Sequence, residues 1–126
     1  MKTRYLLDTH VLLWLNSDLR RISRPVIVML DLADQVYYSA ASGWELSIKQ
    51  SLGKLHLAGP ISGFVQQSRF LELPVTTQYA ETAATLPMHH RDPFDRMLIA
   101  QAMVEGLVLI TADRRLSSYD LKTMSV

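Results

Sequence analysis

Four acidic residues, Asp8, Glu45, Asp95 and Asp113, each stand where an apolar run stops or a helix starts, and this recurrence narrows the folds open to the chain. A partnerless carboxylate at the end of a buried strand costs on the order of several kcal/mol in desolvation. If the apolar runs are parallel strands joined by helices, all four carboxylates meet at one edge of one sheet. Two unit charges about 4 Å apart repel by roughly 4 kcal/mol at an effective dielectric of about 20. Such a cluster calls for a divalent cation.

The pattern along the chain supports that arrangement. Arg4 to Asp8 reads as a strand, and Val11, Leu12, Trp14 and Leu15 form a helical apolar face after it. Ser23 or Arg24 followed by Pro25 reads as a helix start leading into Val26, Ile27, Met29, Leu30 and Ala33, and Val36 to Ser39 as a short strand. A helix is expected over Ser42 to Ser51, closed near Gly53, then one from Pro60 to Phe70, a strand Leu71 to Val75 and a helix Thr77 to Leu86. Asp92-Pro93 opens a helix running to Gly106, and Leu107 to Ile110 is a continuous apolar strand of the kind buried on both faces. Strands alternating with helices give an α/β fold, a central, mostly parallel sheet with helices on both faces. Residues 1–126 carry no repeat or linker, so this is one domain.

Lengths place the last two acids together. Asp95 to Glu105 is about 11 helical residues, roughly 16 Å at 1.5 Å each, and the chain returns over about 20 Å of strand. Asp95 and Asp113 therefore share the carboxyl edge of the sheet, where open α/β sheets bind ligands.

Composition excludes several classes. Zero cysteines removes disulfides and thiolate metal sites, leaving carboxylates, imidazoles and water to hold a hard ion. The four histidines, His10, His56, His89 and His90, do not fall at paired zinc spacing, and none is read as a ligand. A net charge of +1 is too balanced for bulk coating of nucleic acid, so an anionic partner must meet local patches: Arg20, Arg21 and Arg24; His89, His90 and Arg91; Arg114 and Arg115. No apolar stretch approaches the roughly 18 residues that would cross a bilayer. The first residues have the charge of a secretory leader, but Asp8 interrupts the apolar segment and no small-residue cleavage site follows, so a cytoplasmic protein is expected.

Each acid also has a structural reading. Ser42-Gly43-Trp44-Glu45 has the form of a capping box, which alone would account for Glu45, and Asp92 is read as the cap of the helix that carries Asp95. Capping and ligation are compatible, because the positive end of a helix dipole keeps a nearby carboxylate ionised. Thr9 and Thr111 either orient a carboxylate or a bound water, or close a turn. His10 either contacts substrate or sits satisfied at a helix start, and Arg96 either meets a phosphate or serves a structural ion pair. Trp14 and Trp44 are expected in the core.

Leu7-Asp8-Thr9-His10 with Val11 to Trp14, Ser42 to Lys49 with Gly53-Lys54-Leu55, Arg91 to Ala102, and Ile110-Thr111-Ala112-Asp113 together resemble the PIN-domain ribonucleases, and more narrowly the VapC-type toxins of bacterial toxin–antitoxin pairs. The resemblance covers nearly the whole chain. It implies a single PIN-like domain and a metal-dependent endoribonuclease with Asp8, Glu45, Asp95 and Asp113 as the acidic quartet, inhibited by a cognate antitoxin and forming a homodimer. One departure is His10, where the commoner pattern has Asn or Ser after Asp-Thr. The chemistry consistent with both lines is Mg²⁺ or Mn²⁺ assisting water attack on single-stranded or looped RNA. Thr9, His10, Arg96, Thr111 and Arg114 are the candidate substrate contacts. Two rivals remain: a non-cleaving RNA- or protein-binding module, and a phosphohydrolase of small molecules. The second lacks an aspartate two residues after Asp8 and a glycine-rich phosphate loop.

Overall fold

Five short strands, β1 (Tyr5–Leu7), β2 (Val36–Ser39), β3 (Leu71–Leu73), β4 (Val108–Thr111) and β5 (Thr123–Ser125), pair side by side in the order β3-β2-β1-β4-β5, every pair parallel. The computed structural model describes residues 3–126. Met1 and Lys2, the first residues of the segment weighed above as a secretory leader, lie outside the described residues.

Side-chain alternation along β1 and β4 divides the core into two layers. Leu6 and Leu109 face a cluster with Tyr79 and Ala83 of α5 (Thr77–Thr85) and Leu98, Ile99 and Ala102 of α6 (Pro93–Glu105). Leu7 and Ile110 face Val11 and Leu12 of α1 (Thr9–Ser17), Val26 and Leu30 of α2 (Arg24–Leu32), Leu46 of α3 (Ala40–Ser51) and Ile61 of α4 (Ile61–Gln66). The central strands are thus apolar on both sides, as the run Leu107 to Ile110 led us to expect. Among the described residues no helix is long and apolar enough to cross a membrane.

Where elements depart from the expected bounds, tertiary packing is the cause. Chain reversal between β2 and α3 takes no loop at all: Ser39 ends the strand and caps the helix, its side chain accepting from the Ala41 amide at 3.0 Å. The helix therefore begins at Ala40, and the capping box expected from Ser42 to Glu45 does not form. The helix expected over Pro60 to Phe70 is confined to Ile61–Gln66. A fifth strand, unforeseen, adds to β4 through three residues of mixed polarity, in register Leu109 with Thr123 and Thr111 with Ser125.

The end of α6 is local in origin. Gly106 adopts φ 68°, the left-handed conformation that costs glycine little, and the Leu107 amide reaches back to the Ala102 carbonyl at 2.9 Å. That closure turns the chain directly into β4.

Candidate metal centre

Asp8 follows β1 and is buried at 6% exposure. One carboxylate oxygen caps α1 by accepting from the Val11 amide at 2.9 Å, and the other accepts from the Thr111 hydroxyl. Thr111 Oγ1 in turn accepts from the Asp113 amide at 3.0 Å, so one hydroxyl ties the ends of β1 and β4 together. Burial raises the Asp8 pKa, and the bonds from Thr111 and Val11 work against it.

Asp113 caps the 3-10 turn Arg114–Ser118 and is gripped by Arg115, whose Nη2 lies 2.8 Å from Oδ2. The Arg115 hydrogen bond holds the Asp113 carboxyl below its usual range. Asp95 lies in the first turn of α6, which Asp92 caps by accepting from the Phe94 amide at 2.8 Å, as expected for Asp92. His90 Nε2 stands 2.7 Å from Asp95 Oδ2 and 3.7 Å from Asp113 Oδ2. One donor atom from each of His90, Asp95 and Asp113 lies within 4.8 Å of the others. Burial, then the Asp92 charge, pushes Asp95 up to about 6, against the pull of His90, and Asp8 adds a smaller push.

Glu45 comes from α3. Ser42, one turn before it on the same face, shares a 2.9 Å hydrogen bond with Thr9 beside Asp8. Glu45 lines a hollow of about 540 Å³ with Lys49, Lys54, Arg91, Asp92 and Phe94, and its Oε2 is 3.4 Å from Lys49 Nζ. Its other oxygen, Oε1, is buried with no hydrogen-bond partner.

These features fit a divalent cation. Carboxylate oxygens and an imidazole are donors for such ions, the buried Glu45 oxygen without a hydrogen-bond partner is open to a donor or a cation, and the crowding that raises Asp95 is relieved by positive charge.

Several expected contacts are corrected by the structure. Arg96 is buried at 8% exposure, and its guanidinium donates to the carbonyls of Ala83, Leu86, Pro87 and His90, which leaves no free face for a phosphate. Its role here is to fasten the end of α5 to the loop before α6. Thr9 is buried against Ser42, and Thr111 is buried between Asp8 and Asp113, so both hydroxyls orient other groups. His10 and Arg114 are exposed beside Asp8 and Asp113. Trp44, expected in the core, is 65% exposed and meets Phe94 edge-on at 5.3 Å between centroids. His90, set aside as a ligand, stands among the carboxylates; no local spacing marks it, because residues far along the chain hold its loop. Lys49 and Lys54 were also missed, since only the fold brings them to the rim with Arg91.

The Asp95 shift has a measurable consequence. Its folded-state pKa lies above the unfolded value of 3.8, so the folded chain holds the proton more tightly. This contribution leaves stability highest below about pH 4 and removes it as pH rises through about 6. In metal-free buffer, melting curves of the wild type and Asp95→Asn should therefore converge near pH 4 and separate by pH 7, with the variant the more stable. Parallel curves across that window would contradict the shift.

Comparison with known proteins agrees with this fold. Residues 5–122 match the family described as PIN domain. Ribonuclease VapC22 of Mycobacterium tuberculosis is 33% identical over 120 residues, covering 93% of this chain and 92% of its own. The fold resembles that in the crystal structure of VapBC2 from Rickettsia felis bound to a promoter DNA fragment, with TM-score 0.74, 12% identity and 98% of each chain covered. It also resembles DNA-bound VapBC from Salmonella typhimurium, with TM-score 0.72, 18% identity and 98% of each chain covered. A family match across nearly the whole chain, joined to a relative of similar length, places this protein in the PIN-domain family, among the VapC ribonucleases.

Proposed function

We propose that the chain is an endoribonuclease toxin dependent on Mg²⁺ or Mn²⁺, which cuts single-stranded or looped RNA and is silenced by a cognate antitoxin. The observation that supports this reading is the clustering of Asp95 and Asp113 with His90 at the carboxyl edge of the sheet, with Asp8 tied to Asp113 through Thr111 and an unpaired Glu45 oxygen on α3. Asp8, Glu45, Asp95 and Asp113 would hold the ion. The chemistry such an ion would supply is a lowered pKa for a bound water and neutralisation of charge developing on the phosphodiester.

The chain's own groups prepare that chemistry. Thr111 aims Asp8, Arg115 aims Asp113, and the backbone amides of Val11 and Arg115 hold the same two carboxylates. Lys49, Lys54 and Arg91 on the rim provide local positive charge for a phosphate backbone, while His10 and Arg114 remain exposed for substrate. Unpaired RNA suits an open, shallow site better than an A-form duplex.

Purified protein should cleave unpaired RNA with Mg²⁺ or Mn²⁺, stop on addition of EDTA, and leave a chromogenic phosphomonoester intact. Turnover of the monoester without RNA cleavage would favour the small-molecule phosphohydrolase instead. RNA binding without cleavage under any divalent ion would favour the non-cleaving module.

The partner surface has support on α2. Five consecutive apolar residues, Val26 to Leu30, exceed what one helical face can bury; Val26 and Leu30 are buried, whereas Val28 is 47% exposed and the following Leu32 80%. Val28 and Leu32, with Tyr5, Met29 and Ala33, line a hollow of about 880 Å³ at the amino edge of the sheet, away from the candidate metal centre. An amphipathic antitoxin segment or the second subunit of a homodimer fits such a face. Hydrogen exchange should show added protection within residues 11–52 on complex formation, and unchanged protection there would refute this surface.

A further inference from the structure

We propose that His90 is a nitrogen ligand of the metal centre, which makes the site a mixed nitrogen–oxygen one that favours Mn²⁺ over Mg²⁺. This rests on the divalent-metal reading above.

The geometry supports it from two sides. Two donors bound at right angles about 2.1 Å from one ion lie about 3 Å apart. The 2.7 and 3.7 Å separations of His90 Nε2 from the Asp95 and Asp113 oxygens bracket that spacing. The second line is the backbone beneath His90. Tyr119 OH accepts from the His90 amide at 2.9 Å and donates to the Pro87 carbonyl at 2.8 Å. Arg96 Nη1 donates to those of Pro87 and His90 at 3.1 and 3.2 Å. Both Tyr119 and Arg96 are buried, so a loop that would otherwise be free is held from both ends of its turn, with its imidazole facing two carboxylates. This anchoring fixes the backbone that presents the imidazole, the kind of support a bound ion's ligand requires. Imidazole suits transition ions, whereas Mg²⁺ keeps to oxygen and water.

The other reading is a hydrogen bond from His90 to Asp95 with no bond to the ion. Pulsed EPR of Mn²⁺ added to the full chain, labelled with ¹⁵N-histidine, separates the two. Directly coordinated nitrogen is expected in the wild type and in His10→Ala, which removes the other imidazole near Asp8. It should vanish in His90→Ala and His90→Gln. Calorimetry should show Mn²⁺ affinity falling roughly tenfold or more in those variants, with a smaller loss for Mg²⁺. Mn²⁺ that binds without nitrogen coupling overturns this inference and leaves the metal reading standing. Absence of any Mn²⁺ binding overturns both. If a His90 variant fails to fold, a wild-type spectrum without nitrogen coupling still overturns the inference, and coupling that persists in both His10→Ala and His89→Ala still supports it.

Discussion

Asp95→Asn is expected to lower RNA cleavage by about a thousandfold, the scale on which loss of one preorganised electrostatic partner acts. An asparagine keeps the size of the side chain but offers a neutral oxygen and an amide to the ion. The fold should survive, because the carboxylate removed is desolvated and crowded by Asp92 and Asp8. Melting of the metal-free variant should therefore match or exceed that of the wild type at pH 7, while cleavage at saturating Mn²⁺ collapses. Full activity would remove Asp95 from the centre. Lost activity with a much lower melting temperature would make its role structural.

The second large effect falls on stability. Arg96→Met keeps an apolar stem of similar length but leaves the carbonyls of Ala83, Leu86, Pro87 and His90 without their guanidinium partner. Pro87 keeps its bond from Tyr119 and Ala83 its bond from the Leu86 amide, whereas the carbonyls of Leu86 and His90 lose their main partner, and a buried acceptor left unpaired costs about 1–3 kcal/mol. A net loss of about 3–5 kcal/mol is expected, lowering the melting temperature by roughly 10–20 °C. The charge also matters: α5 ends at Thr85, and a cation among its last carbonyls is favourably placed against the helix dipole. Arg96→Lys should recover only part of the loss, since one ammonium cannot reproduce the planar fork of guanidinium donors. Thermal melts of the three proteins in metal-free buffer check this. A shift below about 3 °C for the methionine variant would mean that the loop does not depend on Arg96.

These two residues show what was legible in the sequence and what was not. Asp95 could be placed because its position follows from local rules: Asp92-Pro93 starts a helix, Gly106 ends it, and helix and strand lengths then bring Asp95 beside Asp113. Asp8 and Asp113 were visible in the same way, as acids that stop apolar strands. Arg96 is adjacent to Asp95 in sequence yet points into a cage of carbonyls, and nothing at its own position distinguishes that from a surface phosphate contact. His90 is the complementary case, because Tyr119 and Arg96 fix it from outside its own segment.

Capping gives a sharper contrast. Ser39 and Ser42 are both plausible caps, and the choice fell to Ser39 because β2 runs straight into α3, which frees Ser42 to bond Thr9. Glu45 thereby loses its role as capping partner, and one of its oxygens is left buried without a hydrogen-bond partner. β5 escaped notice because Thr123, Met124 and Ser125 form no apolar run; their strand geometry comes from the register imposed by β4. Trp44 has the sequence of a core aromatic, and only the packing of α3 against α6 leaves it outside with Phe94.

The central claim is that this carboxylate centre directs water at an RNA phosphodiester. Mass spectrometry of fragments made by the wild-type protein in ¹⁸O-labelled water with Mn²⁺ tests it most directly. One ¹⁸O atom is expected in a 5′-phosphate on each downstream fragment, with a 3′-hydroxyl on each upstream fragment, and both products should fall about a thousandfold with Asp95→Asn. Fragments ending in unlabelled 2′,3′-cyclic phosphate, or undiminished cleavage by the variant, would contradict it.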